Sequence, residues 1–420
     1  RKAIEVVKGM KGSKQEKRLL RMIYLLCLLL FIYLGFQSKP FDTLAIVMGV
    51  VLCVLIGYSH FVIRRYYPDG DKFILNFASV LAVVSIAMLY RIDKATSVKQ
   101  LVWVTIGVIG YILVVAIIPD MSRFAKYKNV YMIATIVLMP MAFLYAKITG
   151  ASAIGGAYNW ISIGKFMVQP SEFGKITLVL YLAAAFSEYE DNGSIKDDIK
   201  QLIVPALVAG FSLIFLVAQA DLGSALIFFG IIISLLYVAT SKKLYVALSL
   251  GGATAGAILG YNLFAHVRER VMNWRNPWEY ASDAGYQLVQ SLYAISSGGL
   301  VGSGLGQGYV EYIPVNDSDF IYAAICEEFG MIFAVGLMII YFLLFFRGIR
   351  SAYVTNDKFS QLSVVGFSTM IACQTLVIIG GIFGVIPLTG ITLPILSYGG
   401  SSVLTIFFAL GILQKVSEEA

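Results

Sequence analysis

An all-α integral membrane protein, a polytopic bundle of about twelve transmembrane helices, is the fold class this sequence predicts. Three observations predict it. Apolar runs of ~20 residues recur along the whole chain, each long enough to cross a bilayer. Of the 420 residues, 59% are hydrophobic and only 14% charged, where a soluble domain carries nearly twice that charge. The runs are also too uniformly apolar for barrel strands, whose residues would alternate between lipid and lumen.

The spans fall near residues 22–38, 43–63, 73–90, 99–118, 129–147, 171–187, 201–219, 222–240, 244–264, 319–346, 361–385 and 393–413. An even count puts both ends on one side. With both ends inside, the inner segments hold 22 of the 32 lysines and arginines, the bias that orients membrane proteins. The net charge of +7 then meets an acidic leaflet, and a nucleic-acid partner is not expected. No cleavable signal peptide is expected, because the first apolar run is long and lacks a small-residue cleavage site. Cys27, Cys53, Cys326 and Cys373 sit in apolar runs without metal-type spacing and read as buried thiols. No internal repeat relates the two halves, which weighs against a transporter built on inverted repeats.

Three outer segments follow from this orientation: 148–170, 265–318 and 386–392. In "GAYNWISIGKFMVQPSEFGK", 156–175, Trp160, Ile161, Ile163 and Phe166 suit the membrane surface. Pro170 opens a helix, with Ser171 and Glu172 favourable near its N-terminus. Glu172 and Lys175 share one helical face, as a self-neutralising pair or as functional groups. In "QADLGSA", Asp221 is explained by capping the next helix. In "PVNDSDFIYAAICEEFG", Asp319 reads as a cap, while Glu327 and Glu328 lie deep enough to suggest a polar cavity. "GVIPLTGITLPILSYGGSS", 384–402, breaks helices at Pro387, Gly390, Pro394 and Gly399. Broken backbone persists near a membrane only where it lines a cavity or packs on protein. Ser397 and Tyr398 offer hydroxyls there.

The longest loop, 265–318, begins with His266, Arg268, Arg270 and Arg275, a cationic cluster against the positive-inside trend. Guanidinium groups pair well with phosphates, so an anionic ligand is expected. Between 285 and 297, Leu288, Leu292 and Ile295 share one face and Gln287, Gln290 and Ser291 are polar, as in a short helix lying in the interface. The glycines at 298, 299, 302, 304, 306 and 308 follow no strand and lack G-x-G-x-x-G spacing. They read as a flexible, close-packed loop. Asp283 stands alone, with Glu279 its nearest carboxylate in sequence. On the residues alone it is a weak catalytic candidate, favoured only by its place on a loop.

Taken together, "GAYNW…QPSEFGK", "QADLGSA", "RVMNWRNPWEYASDAGYQLVQS", "GGLVGSGLGQG", "DFIYAAICEEFG" and "PLTGITLPILSYGGSS" resemble the SEDS family of bacterial membrane proteins (shape, elongation, division and sporulation), the group of FtsW, RodA and SpoVE. The resemblance covers residue 73 to the C-terminus. It implies a basic segment 1–21, two additional N-terminal helices in 22–72, and a glycosyltransferase core over 73–420. It implies a peptidoglycan glycosyltransferase of the bacterial cytoplasmic membrane that polymerises lipid II at the outer face, with both termini cytoplasmic. It assigns the essential aspartate to Asp283, ahead of Gly285-Tyr286-Gln287, and cationic roles to Arg270 and Lys175. Glu172, Gln287, Trp160, Asp221 and Ser397 complete the candidate substrate-binding set. A divalent cation is compatible with a diphosphate leaving group, and no cofactor is otherwise expected. A class B penicillin-binding protein is the implied partner, alongside membrane lipids. The chain departs from the family at Asn159, usually arginine, at Ala220, usually proline, and at Asp317, usually histidine. A lipid II flippase and a non-catalytic scaffold are the competing readings.

Overall fold

The computed structural model describes residues 2–154, 156–164 and 166–419, without the side chains of residues 2–13, 163 and 166. The expected surface anchors Ile163 and Phe166 therefore have side chains outside the described residues. The chain opens with α1 (Lys2–Gln37), α2 (Thr43–Tyr66), α3 (Phe73–Ile92), α4 (Lys94–Ile117) and α5 (Lys128–Thr149). An antiparallel hairpin of β1 (Ile161–Ile163) and β2 (Phe166–Val168) precedes α6 (Pro170–Ser187). Then come α7 (Ile195–Ala218), α8 (Leu222–Thr240), α9 (Lys243–Leu263), α10 (Ala265–Arg275) and α11 (Tyr286–Gly298). The chain closes with α12 (Ile321–Val354), α13 (Lys358–Ile382) and α14 (Gly400–Glu419).

Among the described residues, 11 helices are long and apolar enough to cross a membrane. With α6, whose apolar run is interrupted by Glu172 and Lys175, they match the twelve expected spans. Short α10 and α11 lie in the long loop. The helices start where aspartates accept from their first turns: Asp42 from Leu44 N, Asp93 from Thr96 N and Asp357 from Ser360 N, at 3.1, 2.8 and 2.7 Å. Helices α3 and α13 are the hub, with 94% and 78% of their apolar windows buried, whereas α9 has none buried and stands at the edge. The N-terminal pair α1–α2 packs on α3. The turn between α1 and α2 is fastened by Asp42, which accepts from Tyr90 Oη at 2.7 Å and pairs with Lys94. Gln37 Nε2 donates to the Leu305 carbonyl at 2.5 Å.

The structure changes three expectations of local order. The last span starts at Gly400, because residues 383–399 between α13 and α14 are non-helical. The tenth is longer than expected and broken at Gly330, with φ 81° and ψ 170°. The glycine run is not a flexible loop; it fills that break. Met331 N and Ile332 N donate to the carbonyls of Gly299 and Leu300, at 3.0 and 3.1 Å. In return Ser303 N and Gly304 N donate to those of Glu327 and Glu328, both at 2.9 Å. Backbone groups orphaned by a broken helix must find partners when buried, and the glycine run supplies them. Gly302, at φ 87°, comes so close that a Cβ would sit 2.3 Å from the Glu328 carbonyl oxygen. Only glycine fits both the conformation and the space.

The same contacts correct the polar cavity expected at Glu327 and Glu328. Glu327 Oε1 accepts from Tyr309 N, and Glu328 Oε2 from Gly306 N, both at 2.9 Å. Glu328 Oε1 pairs with Arg91 Nε at 3.1 Å. Glycine-loop backbone packs against these carboxylates.

Candidate functional site

The non-helical segment 383–399 needs partners for its carbonyls, and α10 provides two. Arg270 Nη1 donates to the carbonyls of Leu388 and Thr389, at 3.3 and 3.1 Å. Trp274 Nε1, one turn on, donates to that of Gly384 at 2.7 Å. The chain then turns tightly. Asp283 N and Gly285 N both donate to the Tyr280 carbonyl, at 3.0 and 2.9 Å. A Cβ on Gly285 would lie 2.5 Å from the Pro277 carbonyl oxygen, so the turn demands glycine. Asp283 sits at this turn with its side chain exposed. Among the described residues its carboxylate accepts no hydrogen bond and pairs with no cation.

Helix α11 follows, tied by Ser291 Oγ to the last carbonyls of α13 at Ile382, 3.2 Å away. Leu288, Val289, Ser291 and Ala294 form its buried face. It therefore rests on α12 and α13, rather than lying free in the interface with its leucine face in lipid.

Arg270 is half-buried. Burial lowers the pKa of its guanidinium, while Asp221, Asp319 and Glu269 oppose that shift. Asp319 is not a cap: α12 begins after Phe320 with no side-chain cap. Its carboxyl is pushed up to about 6, chiefly by burial and also by Asp317, against Ser318 and Arg270. His266 loses its place in the cationic cluster. Burial first, and the neighbouring Arg270 second, lower its pKa below the usual imidazole range, so it is neutral at neutral pH. Arg268 Nη2 turns back to the Asn262 carbonyl at 2.9 Å.

The other candidates divide sharply. Asp221 is buried and fully engaged: it caps α8 through Ser224 N and Oγ, at 3.0 and 2.8 Å, and accepts from Asn159 and Gln169 at 2.8 and 3.1 Å. Ser397 Oγ donates to the Ser318 carbonyl at 2.5 Å and accepts from Leu393 N at 2.8 Å. Lys175, 1% exposed, pairs with Glu172 at 2.8 Å and donates to Gln374 Oε1 at 2.9 Å. Glu172 also accepts from Thr405 Oγ1 at 3.0 Å. These four side chains stitch the bundle. Gln287 and Trp160 are half-buried and carry no side-chain hydrogen bond among the described residues. Sequence reasoning missed Trp274 and the charge on Asp319. Its one available signal was that both flank segments already marked by proline and glycine.

A cavity of about 1200 Å³ opens between α6, α7, α8 and α9. Leu213, Phe229, Leu248 and Gly256 are among its walls, and Arg270 with Thr389 stands at its α10 end. Arg270 is the one charged side chain in the lining among the described residues. The arrangement suits an apolar chain ending in an anion. Among the described residues no cluster of three or more His, Cys, Asp or Glu side chains could hold a metal ion.

The FtsW/RodA/SpoVE family model, described as a cell cycle protein, matches residues 72–420. The peptidoglycan glycosyltransferase RodA of Mycobacterium tuberculosis is 32% identical over 405 residues, covering 91% of this chain and 85% of that one. The stage V sporulation protein E of Bacillus subtilis is 35% identical over 324 residues, covering 76% and 86%. In fold, the chain matches a structure described as structural coordination of polymerization and crosslinking by a peptidoglycan synthase complex, with TM-score 0.71, 24% identity and coverage of 83% and 98%. It also matches the rod shape determining protein RodA of Thermus thermophilus, with TM-score 0.63, 22% identity and coverage of 83% and 97%. This chain is a multi-pass membrane protein that belongs to the FtsW/RodA/SpoVE family, the SEDS family of cell cycle proteins.

Proposed function

We propose that this protein is a peptidoglycan glycosyltransferase that polymerises lipid II at the outer face of the bacterial cytoplasmic membrane. The observation that carries the reading is the pairing of two features across one short segment. Asp283 is an exposed carboxylate with no partner among the described residues. Arg270, on the helix just before it, is the charged group of an apolar groove large enough for lipid.

The prenyl chain lies in the groove and its diphosphate meets Arg270. The sugar of the acceptor strand approaches the turn at Asp283, which takes the proton from the attacking hydroxyl as general base. The donor's anomeric carbon gains the new glycosidic oxygen and loses its diphosphate. That leaving group needs positive charge rather than a proton, and Arg270 supplies it. Attack from the opposite face inverts the anomeric centre. Gln287 and Trp160, partly exposed and without side-chain hydrogen bonds among the described residues, contact the sugar. Lys175 acts from inside the bundle by fixing α6, not by touching the diphosphate. A divalent cation on the diphosphate would add further charge neutralisation.

Both termini are cytoplasmic in this reading, as the lysine and arginine distribution favours. Residues 22–72 are two helices added to a core over 73–420. The partner is a class B penicillin-binding protein that crosslinks the strands.

Purified protein in detergent, given lipid II, tests the reading. It yields polymeric glycan although detergent has no two sides. A flippase or a scaffold yields none, and absence of polymer from folded protein, with the transpeptidase partner added, overturns the proposal.

A further inference from the structure

Three elements converge on the bend Leu388–Ile391. From α10, Arg270 holds two of its carbonyls. From α8, Gly223 packs so closely that a Cβ would lie 2.4 Å from Ile391 Cγ2 and 3.0 Å from the Thr389 carbonyl oxygen. Asp221 caps that same helix. From the segment before α12, Asp319 Oδ2 approaches Gly390, 3.7 Å from where a Cβ would be. That segment is itself fastened, because Ser397 Oγ donates to the Ser318 carbonyl and Tyr398 N to that of Asp317, at 2.5 and 2.9 Å.

We propose that Asp319 is a positioning residue which, opposite Asp221, holds the Arg270 guanidinium at the groove mouth so that it presents a fixed face to the lipid-linked diphosphate. The inference rests on the reading of Arg270 as the diphosphate cation. A carboxylate at the start of a helix is normally occupied by capping, and Asp319 caps nothing. Asp221 cannot orient Arg270 alone, since its oxygens already take four hydrogen bonds. The carbonyls of Leu388 and Thr389 engage one nitrogen, Nη1, and among the described residues leave the rest of the guanidinium free to turn. A second charge across the bend removes that freedom before the diphosphate arrives, so the cation that binds the donor's diphosphate is preorganised and less binding energy is lost in ordering it.

The charged and titratable groups around this bend are Asp319, Asp317, Arg270, Asp221, Glu269 and His266. Asp319 titrates near pH 6. Below that pH it is neutral and Arg270 is held less firmly; above it the hold is complete. His266 also gains a proton on the acid side, so the two must be separated.

The test is the pH dependence of KM and kcat for glycan polymerisation by the full-length protein on lipid II. In the wild type, KM for lipid II climbs as pH falls through about 6. Asp319→Asn raises KM about tenfold at neutral pH with a smaller change in kcat, the size of one nearby charge acting through space at a partly buried site, and abolishes the acid climb. Asp319→Glu restores much of the affinity and keeps a climb. His266→Gln keeps the wild-type climb. An unchanged KM in Asp319→Asn, or an acid climb that survives it, overturns the role while leaving Arg270 in place. If Arg270→Ala also leaves KM unchanged, the assignment of Arg270 falls first and this inference with it. Should Asp319→Asn fail to fold, a pH profile of Asp319→Glu identical to that of the wild type, with no shift in midpoint, contradicts the proposal on its own.

Discussion

Glu172 with Lys175 and Asp283 with Arg270 are two acid–base couples in one chain, built in opposite ways. The first couple shares one helical turn, touches at 2.8 Å and is almost wholly shielded, with Gln374 and Thr405 completing its hydrogen bonds. The second is divided between two elements. Arg270 holds backbone carbonyls while Asp283 is exposed and has no partner among the described residues. A buried pair must be complete, because a lone charge in an apolar interior is very costly. A general base must be incomplete, because its free lone pair is what the substrate proton meets. Saturation marks structure at Glu172 and Lys175, and the unsatisfied carboxylate at a fixed turn is where we propose the chemistry. Glu328, whose two oxygens take Gly306 N and Arg91, falls on the structural side, while Glu327 anchors the glycine run through Oε1 alone and leaves Oε2 without a partner among the described residues.

The comparison breaks most visibly if the buried couple is disturbed. Lys175→Met strands Glu172 in the interior and is expected to cost roughly 3–5 kcal/mol of stability, seen as a large drop in thermal midpoint in detergent. Adding Glu172→Gln removes the orphaned charge and recovers most of the loss. A stable Lys175→Met protein with weakened lipid II affinity would instead move Lys175 into the site. Gly302→Ala comes next. It forces a side chain into a left-handed conformation against the Glu328 carbonyl, at a cost of roughly 2 kcal/mol or more. Faster amide exchange at Ser303 and Gly304 would report the loosening, and unchanged protection there would contradict the pinned loop.

The twelve spans were legible because a bilayer demands long apolar runs, and local composition records them. Helix α11 was legible from its polar and apolar faces, although not what it rests on. The late start of α14 was harder, because Leu393, Ile395 and Leu396 are as apolar as any span. Their backbone is diverted by partners far away in sequence: Tyr341 Oη, Ser85 Oγ and Gln100 Nε2 take the carbonyls of Pro394, Leu396 and Ile395 at 2.6, 2.7 and 3.1 Å. The glycine run misled for the same reason. Glycines permit a flexible loop and a strand threaded through a broken helix equally well, and only Gly330, some thirty residues away, decides between them. The proposed base, Asp283, stands out in the sequence only through family resemblance, since a lone exposed aspartate has no local signature. Asp319 was misread because a carboxylate before a helix ordinarily caps it.

The central claim is that Asp283 does chemistry and nothing structural. Asp283→Asn, exposed and without partners among the described residues, is expected to leave the folding stability within about 0.5 kcal/mol of the wild type, as surface substitutions generally do. It is expected to lower the rate of glycan polymerisation from purified lipid II by at least about 100-fold. Full-length polymer made by that variant at the wild-type rate would contradict the account.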